Sequence, residues 1–294
     1  VLTLVAASGC ASVLRVLPAA SALVSWTTGE AVDTLELIVD TVDGRRSRAL
    51  PYAAFEPGRR ASLNGFDEVA RIETDIVRAE RAIAGIEVRS RKPLRTVAAS
   101  TPGGDAARTD AAPLAAARRE LAVPECSQYL TTFPAERGWC APASLAMLLG
   151  AHGIGVEVAE VAAGVFDHAC AGTGNWPFAI AYAGLCGLTG AAAYLRDLGT
   201  IEAFIAAGLP IAASIAWQPG DLPGAPLDRS AGHIVVVRGF TASGDVIVND
   251  PAQPAVRHVY ERTAFGACWL AHGGVALLVA PPARGDDLVR CANA

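Results

Sequence analysis

"ERGWCAPASLAMLLG", residues 136–150, is the stretch that decides the fold. A turn ending in Gly138 and Trp139 gives way to Cys140. Leu145, Leu148 and Leu149 then recur at helical spacing, until Gly150 and Gly153 stop the run. The pattern predicts a helix with a cysteine at its mouth. A helix N-terminus carries partial positive charge and unpaired N–H groups. Both favour the thiolate, which is the nucleophilic form of cysteine, and the same N–H groups suit an oxyanion. A cysteine at a helix start is also commonly a small buried hydrophobe, so a catalytic reading of Cys140 requires partners elsewhere in the chain.

Helical patterns continue downstream in "VEVAEVAAGVF" (156–166), "WPFAIAYAGLCG" (176–187, with Pro177 in the first turn) and "TIEAFIAAG" (200–208). The last is expected to be capped by Thr200 and ended by Gly208. Strand patterns follow in "PIAASIAW" (210–217), "HIVVVRGF" (233–240), "DVIVND" (245–250) and "GGVALLVAPP" (273–282). Helices first and antiparallel strands second predict an α+β domain.

Among five histidines, His233 stands apart because it opens a strongly apolar strand, where a polar side chain points at a cleft. "TASG" then turns the chain, and the returning strand ends at Asp250. Antiparallel pairing brings His233 and Asp250 side by side, within a residue or two of register. A carboxylate there orients the imidazole and stabilises its charged form; the competing reading is that Asn249, Asp250 and Pro251 only make a turn. Gln128, twelve positions before Cys140 in "VPECSQYL", is a candidate second oxyanion donor.

Upstream, residues 20–92 read as short strands separated by the turn signals "VDGRR", "EPGRR" and "LNGFD". "DTLELIVDTV", "VARIETDIVRAE" and "AIAGIEVRSR" each alternate, which predicts an all-β sandwich-like module. Residues 93–120, rich in Ala, Thr, Pro, Gly and Asp, read as a linker with a short helix near Leu114. Residues 1–19 read as a signal peptide, a lipoprotein leader ending at Cys10 or an apolar lead-in to the first strand. Residues 283–294 read as a C-terminal tail.

The chain has 294 residues, is 52% hydrophobic and 18% charged, and carries a net charge of −5. That composition supplies core for two domains, and with no basic run it argues against a nucleic-acid surface. No segment approaches the roughly 20 apolar residues of a membrane-spanning helix. The seven cysteines form no CxxC pair, which argues against a zinc ribbon or thioredoxin site. No metal or other cofactor is expected. Disulfides and oligomeric state stay open.

Taken in order, "VPECSQYL…WCAPASLAMLL", "GHIVVVRGF" and "VIVNDP" resemble papain-like cysteine peptidases of the double-glycine, bacteriocin-leader type. The resemblance is closer to their stand-alone bacterial relatives, the C-thirty-nine-like peptidases, often secreted. "GTGNWPFAIAYA" (172–183) and "VYERTAFGACWL" (259–270) are similar to that group too, as is "SALVSWTTG" (21–29) to the N-terminal module these proteins often carry. The resemblance implies a papain-like domain over 121–282, with Cys140 as nucleophile, His233 as base, Asp250 as acid and Gln128 at the oxyanion. Trp139, Asn175 and Trp176 become candidate substrate-cleft residues. Relatives usually carry glycine after the nucleophile; here it is Ala141. The implied activity is hydrolysis of a peptide or protein substrate through a thioester, in the secreted space or cell envelope, with the cytoplasm as the alternative. The competing readings are a transglutaminase-like acyltransferase and a non-catalytic peptide- or envelope-binding protein on a peptidase scaffold.

Overall fold

Alternating apolar residues build the N-terminal half. Leu35, Leu37 and Val39 are fully buried along one strand, and the polar Glu36 and Asp40 on its other face are half-buried. The computed structural model describes residues 1–7, 9–103, 114–129 and 138–294. Its first eight strands are β1 (Leu2–Ala6), β2 (Ala11–Thr27), β3 (Val32–Thr41), β4 (Leu50–Phe55), β5 (Ala61–Ser62), β6 (Ala70–Glu73), β7 (Ile76–Ser90) and β8 (Thr96–Ser100). They form one antiparallel sheet in the order β1-β8-β2-β7-β3-β4-β5, with β6 on β7.

Several local expectations change here. The lead-in, 1–19, supplies β1 and the first half of β2. The linker, 93–120, contributes β8, which pairs with both β1 and β2. Leu114 precedes a single 3₁₀ turn at Ala115–Ala117; residues 104–113 lie outside the described ones. "VARIETDIVRAE" is a hairpin, with β6 turning at Thr74–Asp75 into β7. No glycine, proline or asparagine marks that turn. Thr74 takes a φ of 57° and its N–H donates to Asn64 Oδ1 at 2.7 Å, a contact from a neighbouring turn that local pattern does not reveal.

The C-terminal half opens with α1 (Cys140–Ala151), α2 (Val158–Val165) and α3 (Trp176–Leu185). Residues 141–149 of α1 are all buried, so this helix is enclosed on every side. Then come β9 (Thr189–Tyr194), α4 (Leu198–Ala206), β10 (Ile211–Trp217), β11 (Ser230–Phe240), β12 (Val246–Asn249), β13 (Arg257–Tyr260), α5 (Arg262–Ala271), β14 (Val275–Ala280) and α6 (Gly285–Ala292). The second sheet has the order β13-β12-β11-β10-β14-β9. α4 is capped by Asp197, which accepts from the Thr200 N–H at 2.9 Å, rather than by Thr200. The expected tail carries α6, seated by buried Leu288 and Cys291. No helix among the described residues is long and apolar enough to cross a membrane. All seven cysteines are free thiols.

The two halves share one core. Trp26 of β2 and Phe55 of β4 meet Phe178 of α3, with ring centroids 6.2 and 5.4 Å away. Ser25 Oγ accepts from Ala192 N–H, and Ser100 Oγ from Tyr194 N–H, each at 3.0 Å, so the first sheet's hydroxyls satisfy backbone donors of β9. Gly184 marks a close approach: a Cβ there would stand 2.6 Å from the Thr28 nitrogen. Gly184→Ala should therefore destabilise the whole chain by about 1–3 kcal/mol, read as a lower midpoint in a single thermal transition. Two separated transitions, with only one moved, would mean that the halves fold independently.

Candidate active site

Local forces place Cys140. The Trp139 carbonyl accepts from Ala143 N–H at 3.0 Å, closing the first turn of α1 directly over the cysteine. Ser144 Oγ donates to the Ile234 carbonyl at 2.9 Å and pins α1 to β11, one residue beyond His233. β11 pairs with β10, with His233 opposite Ile215. On its other side it pairs with β12, with Val236 opposite Asn249. Asp250 follows β12, and its N–H donates to the Val256 carbonyl at 2.7 Å.

This register brings Cys140, His233 and Asp250 together. His233 Nε2 lies 2.7 Å from Asp250 Oδ1, and the two residues are only 4% and 0% exposed. With Nε2 on the carboxylate, Nδ1 is the ring nitrogen left for Cys140, whose thiol is lowered by His233. Asp250 Oδ1 also accepts from Ala252 N–H at 2.9 Å, and Tyr260 donates its hydroxyl to Oδ2 at 2.7 Å. Asp250 thus shapes the turn before Pro251 and holds the imidazole at once.

The electrostatics follow from these contacts. Burial works against a charged imidazole, but hydrogen bonds to Asp250 and Cys140, with the charges of both, outweigh it and push His233 up to about 10. Burial likewise raises the Cys140 thiol; the His233 bond and charge, with the Ile234 and Ala141 N–H groups, bring it below its ordinary value. Asp250 is lowered against its burial by His233, Tyr260 and the Ala252 N–H. The arrangement favours a thiolate beside an imidazolium at neutral pH.

Gln128 reaches this region along the segment 119–128. Leu121 N–H donates to the Arg238 carbonyl at 2.7 Å, and Phe240 N–H to Arg119 at 3.0 Å. Gly239 permits that crossing, since a Cβ there would fall 2.1 Å from the Arg119 oxygen. Asn249 Nδ2 then holds the Pro124 carbonyl at 2.9 Å, and Gln128 N–H donates to Pro251 at 2.9 Å. The side-chain oxygen of Gln128 is buried and unpartnered among the described residues.

The three cleft candidates divide. Trp139 is buried next to Cys140 and Trp176 is half-buried at the start of α3. Asn175 is occupied structurally: its oxygen accepts from Phe178 N–H at 3.1 Å and its amide donates to Asp167 at 2.9 Å. Both polar ends are engaged by the loop and the helix cap, which gives Asn175 a structural role. Two residues that the sequence does not single out complete the site. Tyr260 buttresses Asp250, and Trp217 stands edge-on to the His233 ring, with centroids 5.6 Å apart. The apolar strand ending in Trp217 signals burial only; the tyrosine's contact depends on the pairing of β13 with β12.

The Peptidase_C39-like family model matches residues 120–277, more than half of the chain, and the protein belongs to that family. Among solved structures it is similar to a putative C39-like peptidase from Bacillus anthracis, at 18% identity over 54% of this chain and 94% of that one, with a TM-score of 0.41. It is also similar to the peptidase domain of Streptococcus ComA, a bifunctional ABC transporter of a quorum-sensing pathway, at 20% identity, 53% and 96% coverage and a TM-score of 0.38. A double-glycine-motif protease from an AMS/PCAT transporter, in complex with leader peptide, matches at 18% identity, 57% and 97% coverage and a TM-score of 0.34. Comparison with curated protein sequences gave no match.

Proposed function

We propose that the protein is a cysteine peptidase or amidase that cleaves peptide bonds by acyl transfer through Cys140, His233 and Asp250. The observation that carries the reading is the buried hydrogen-bonded line from His233 through Asp250 to Tyr260, beside a Cys140 thiol that His233 lowers. The thiolate attacks the carbonyl carbon, and the developing oxyanion is held by the N–H groups at the mouth of α1 and the amide of Gln128. The imidazolium of His233 then protonates the leaving amine, the tetrahedral centre collapses to a thioester, and His233, now neutral, draws a proton from water for its hydrolysis. The ionised pair and the intact acid favour catalysis over a binding scaffold.

Thiol reactivity tests this reading. Burial raises Cys126, Cys186, Cys268 and Cys291, whereas Cys140 is lowered. At pH 6, iodoacetamide should alkylate Cys140 at least about tenfold faster than those four, because a larger thiolate fraction outweighs its weaker intrinsic nucleophilicity. Peptide mass mapping at short times reads the rates; comparable labelling of all five would remove the activated thiol.

A further inference from the structure

The loop 167–176, between α2 and α3, is held at both ends by the N-terminal sheet, which lies outside the stretch matched by the family. At one end Ser62 N–H donates to Asp167 Oδ1 at 3.2 Å and His168 N–H to the Arg60 carbonyl at 2.8 Å. In the middle, Cys170 Sγ lies 3.5 Å from Ser62 Oγ and 3.8 Å from Thr74 Oγ1. At the other end the Asp75 carboxylate faces the start of α3, where the Trp176 N–H lowers it. Pro177 has no N–H, and Asn175 takes that of Phe178. Asp75 therefore supplies the acceptor that the helix start lacks in its own loop. The same loop reaches the nucleophile turn: Thr173 Oγ1 donates to the Gly138 carbonyl at 3.5 Å, and that carbonyl lies 4.0 Å from Cys140 Sγ.

Backbone strain gathers at this contact. Among the described residues, three non-glycine residues have left-handed backbone: Asn64 (φ 48°), Thr74 (57°) and Ala171 (51°). Thr74 precedes Asp75 in the β6–β7 turn, Asn64 holds the Thr74 N–H, and Ala171 lies on the loop opposite. A β-branched residue resists this conformation. A turn needing only to reverse the chain would use Gly or Asn. Such residues persist where their surroundings over-determine them, and they collect at working sites. Burial raises Asp75, backbone N–H bonds oppose it, and the Asp167 charge adds to the rise, to about 6. At neutral pH it remains ionised, facing the positive end of α3.

We propose that the N-terminal sheet is a working part of the cleft, with Asp75 as the positioning residue through which the Thr74–Asp75 turn sets the 167–176 wall against the nucleophile turn, so that substrate binds in register with Cys140. The inference rests on the peptidase reading of the site. It assigns the sheet a role in aligning the peptide rather than in activating the thiol, so binding and thiol reactivity should respond differently to its loss.

The experiment compares full-length wild type with Asp75→Ala and Asp75→Asn. Asparagine keeps an oxygen for the Trp176 N–H; alanine does not. Three readouts are taken: kcat and KM on a peptide cleaved by wild type, the rate of Cys140 alkylation by iodoacetamide, and amide hydrogen exchange over 167–178. Asp75→Ala should raise KM about tenfold, as loss of binding shared by ground and transition state does. Alkylation should stay within about twofold, because His233 and Asp250 are untouched. Exchange over 167–178 should quicken at least about tenfold, and Asp75→Asn should recover most of both effects. An unchanged KM, with or without faster exchange, overturns the proposal, as does an equal loss of alkylation and hydrolysis. Should wild type cleave no peptide, the peptidase reading fails by itself; unchanged exchange in the alanine variant then overturns the clamp separately. If Asp75→Ala does not fold, Thr173→Val cuts the link to Gly138 instead, and the same KM rise is expected or the proposal falls.

Discussion

Cys140→Ala should lower peptide hydrolysis by about 10⁴-fold or more, as loss of a covalent nucleophile does in a triad, and should leave the fold standing. The side chain sits at the first residue of α1 with part of its surface open, so truncation removes little packing. Alanine is the better helix former. His233 keeps its bond to Asp250, so the substitution leaves that imidazole with a partner. A melting temperature within a few degrees of wild type is expected, together with loss of the fast-alkylating thiol. Hydrolysis persisting within about tenfold of wild type would take the cysteine out of the reaction, since oxyanion donors and binding alone do not supply that rate.

Asp250→Asn separates the functional role of this residue from its structural one. Asparagine fills the same space and is a good turn former, so a residue that only shaped the turn before Pro251 would tolerate it. The carboxylate also helps hold His233 up at about 10. Its removal should lower kcat by about 10–10³-fold, less than the roughly 10⁴ of the serine-protease case, because Cys140 already favours its ionised form. The alkaline limb of activity should move to lower pH. The sign follows from chemistry: His233 must be an imidazolium to protonate the leaving amine, and that cation loses its nearest carboxylate. Stability obeys the same signs. His233, raised above an unfolded value near 6.5, contributes fully below that pH and loses its contribution as pH rises through about 10. Asp250, lowered from 3.8, contributes above that pH and loses its contribution as pH falls through its folded value. The melting-temperature gap between wild type and variant should therefore be widest between about pH 4 and 6.5 and close toward pH 10. Near-wild-type kcat, with no pH-dependent gap, would leave a Cys140–His233 dyad.

The features legible in the sequence are the ones set by local periodicity. The start of α1 at Cys140, the apolar run of β11 behind His233 and the return of β12 to Asp250 all follow from spacing and turn chemistry. What escaped depends on contacts between distant segments. β8 looks like linker because Ala, Thr and Ser carry little apolar signal; it pairs because β1 and β2 both present edges to it. The Thr74–Asp75 turn carries no glycine, proline or asparagine because Asn64 and the 167–176 loop hold it from outside. Asn175 looks like a cleft residue beside Trp176, yet it spends its amide on Asp167 and its oxygen on the helix cap. Tyr260 joins the site only through sheet pairing. A cap such as Asp197 in place of Thr200 is a shift of three residues that propensity does not resolve, since both are good N-caps. The alternation of β3 and of the later half of β7 is legible, but their joint core with α3 is not, because Trp26, Phe55 and Phe178 are far apart in the chain.

The most direct test is digestion of an unbiased peptide library with the full-length wild-type protein and with Cys140→Ala, with the products sequenced by mass spectrometry. Hydrolysis through Cys140 predicts new peptide termini with wild type, sharing a sequence preference around the cut, and none above background with the alanine variant. No new termini with either protein, or the same termini with both, would contradict a peptidase that works through Cys140.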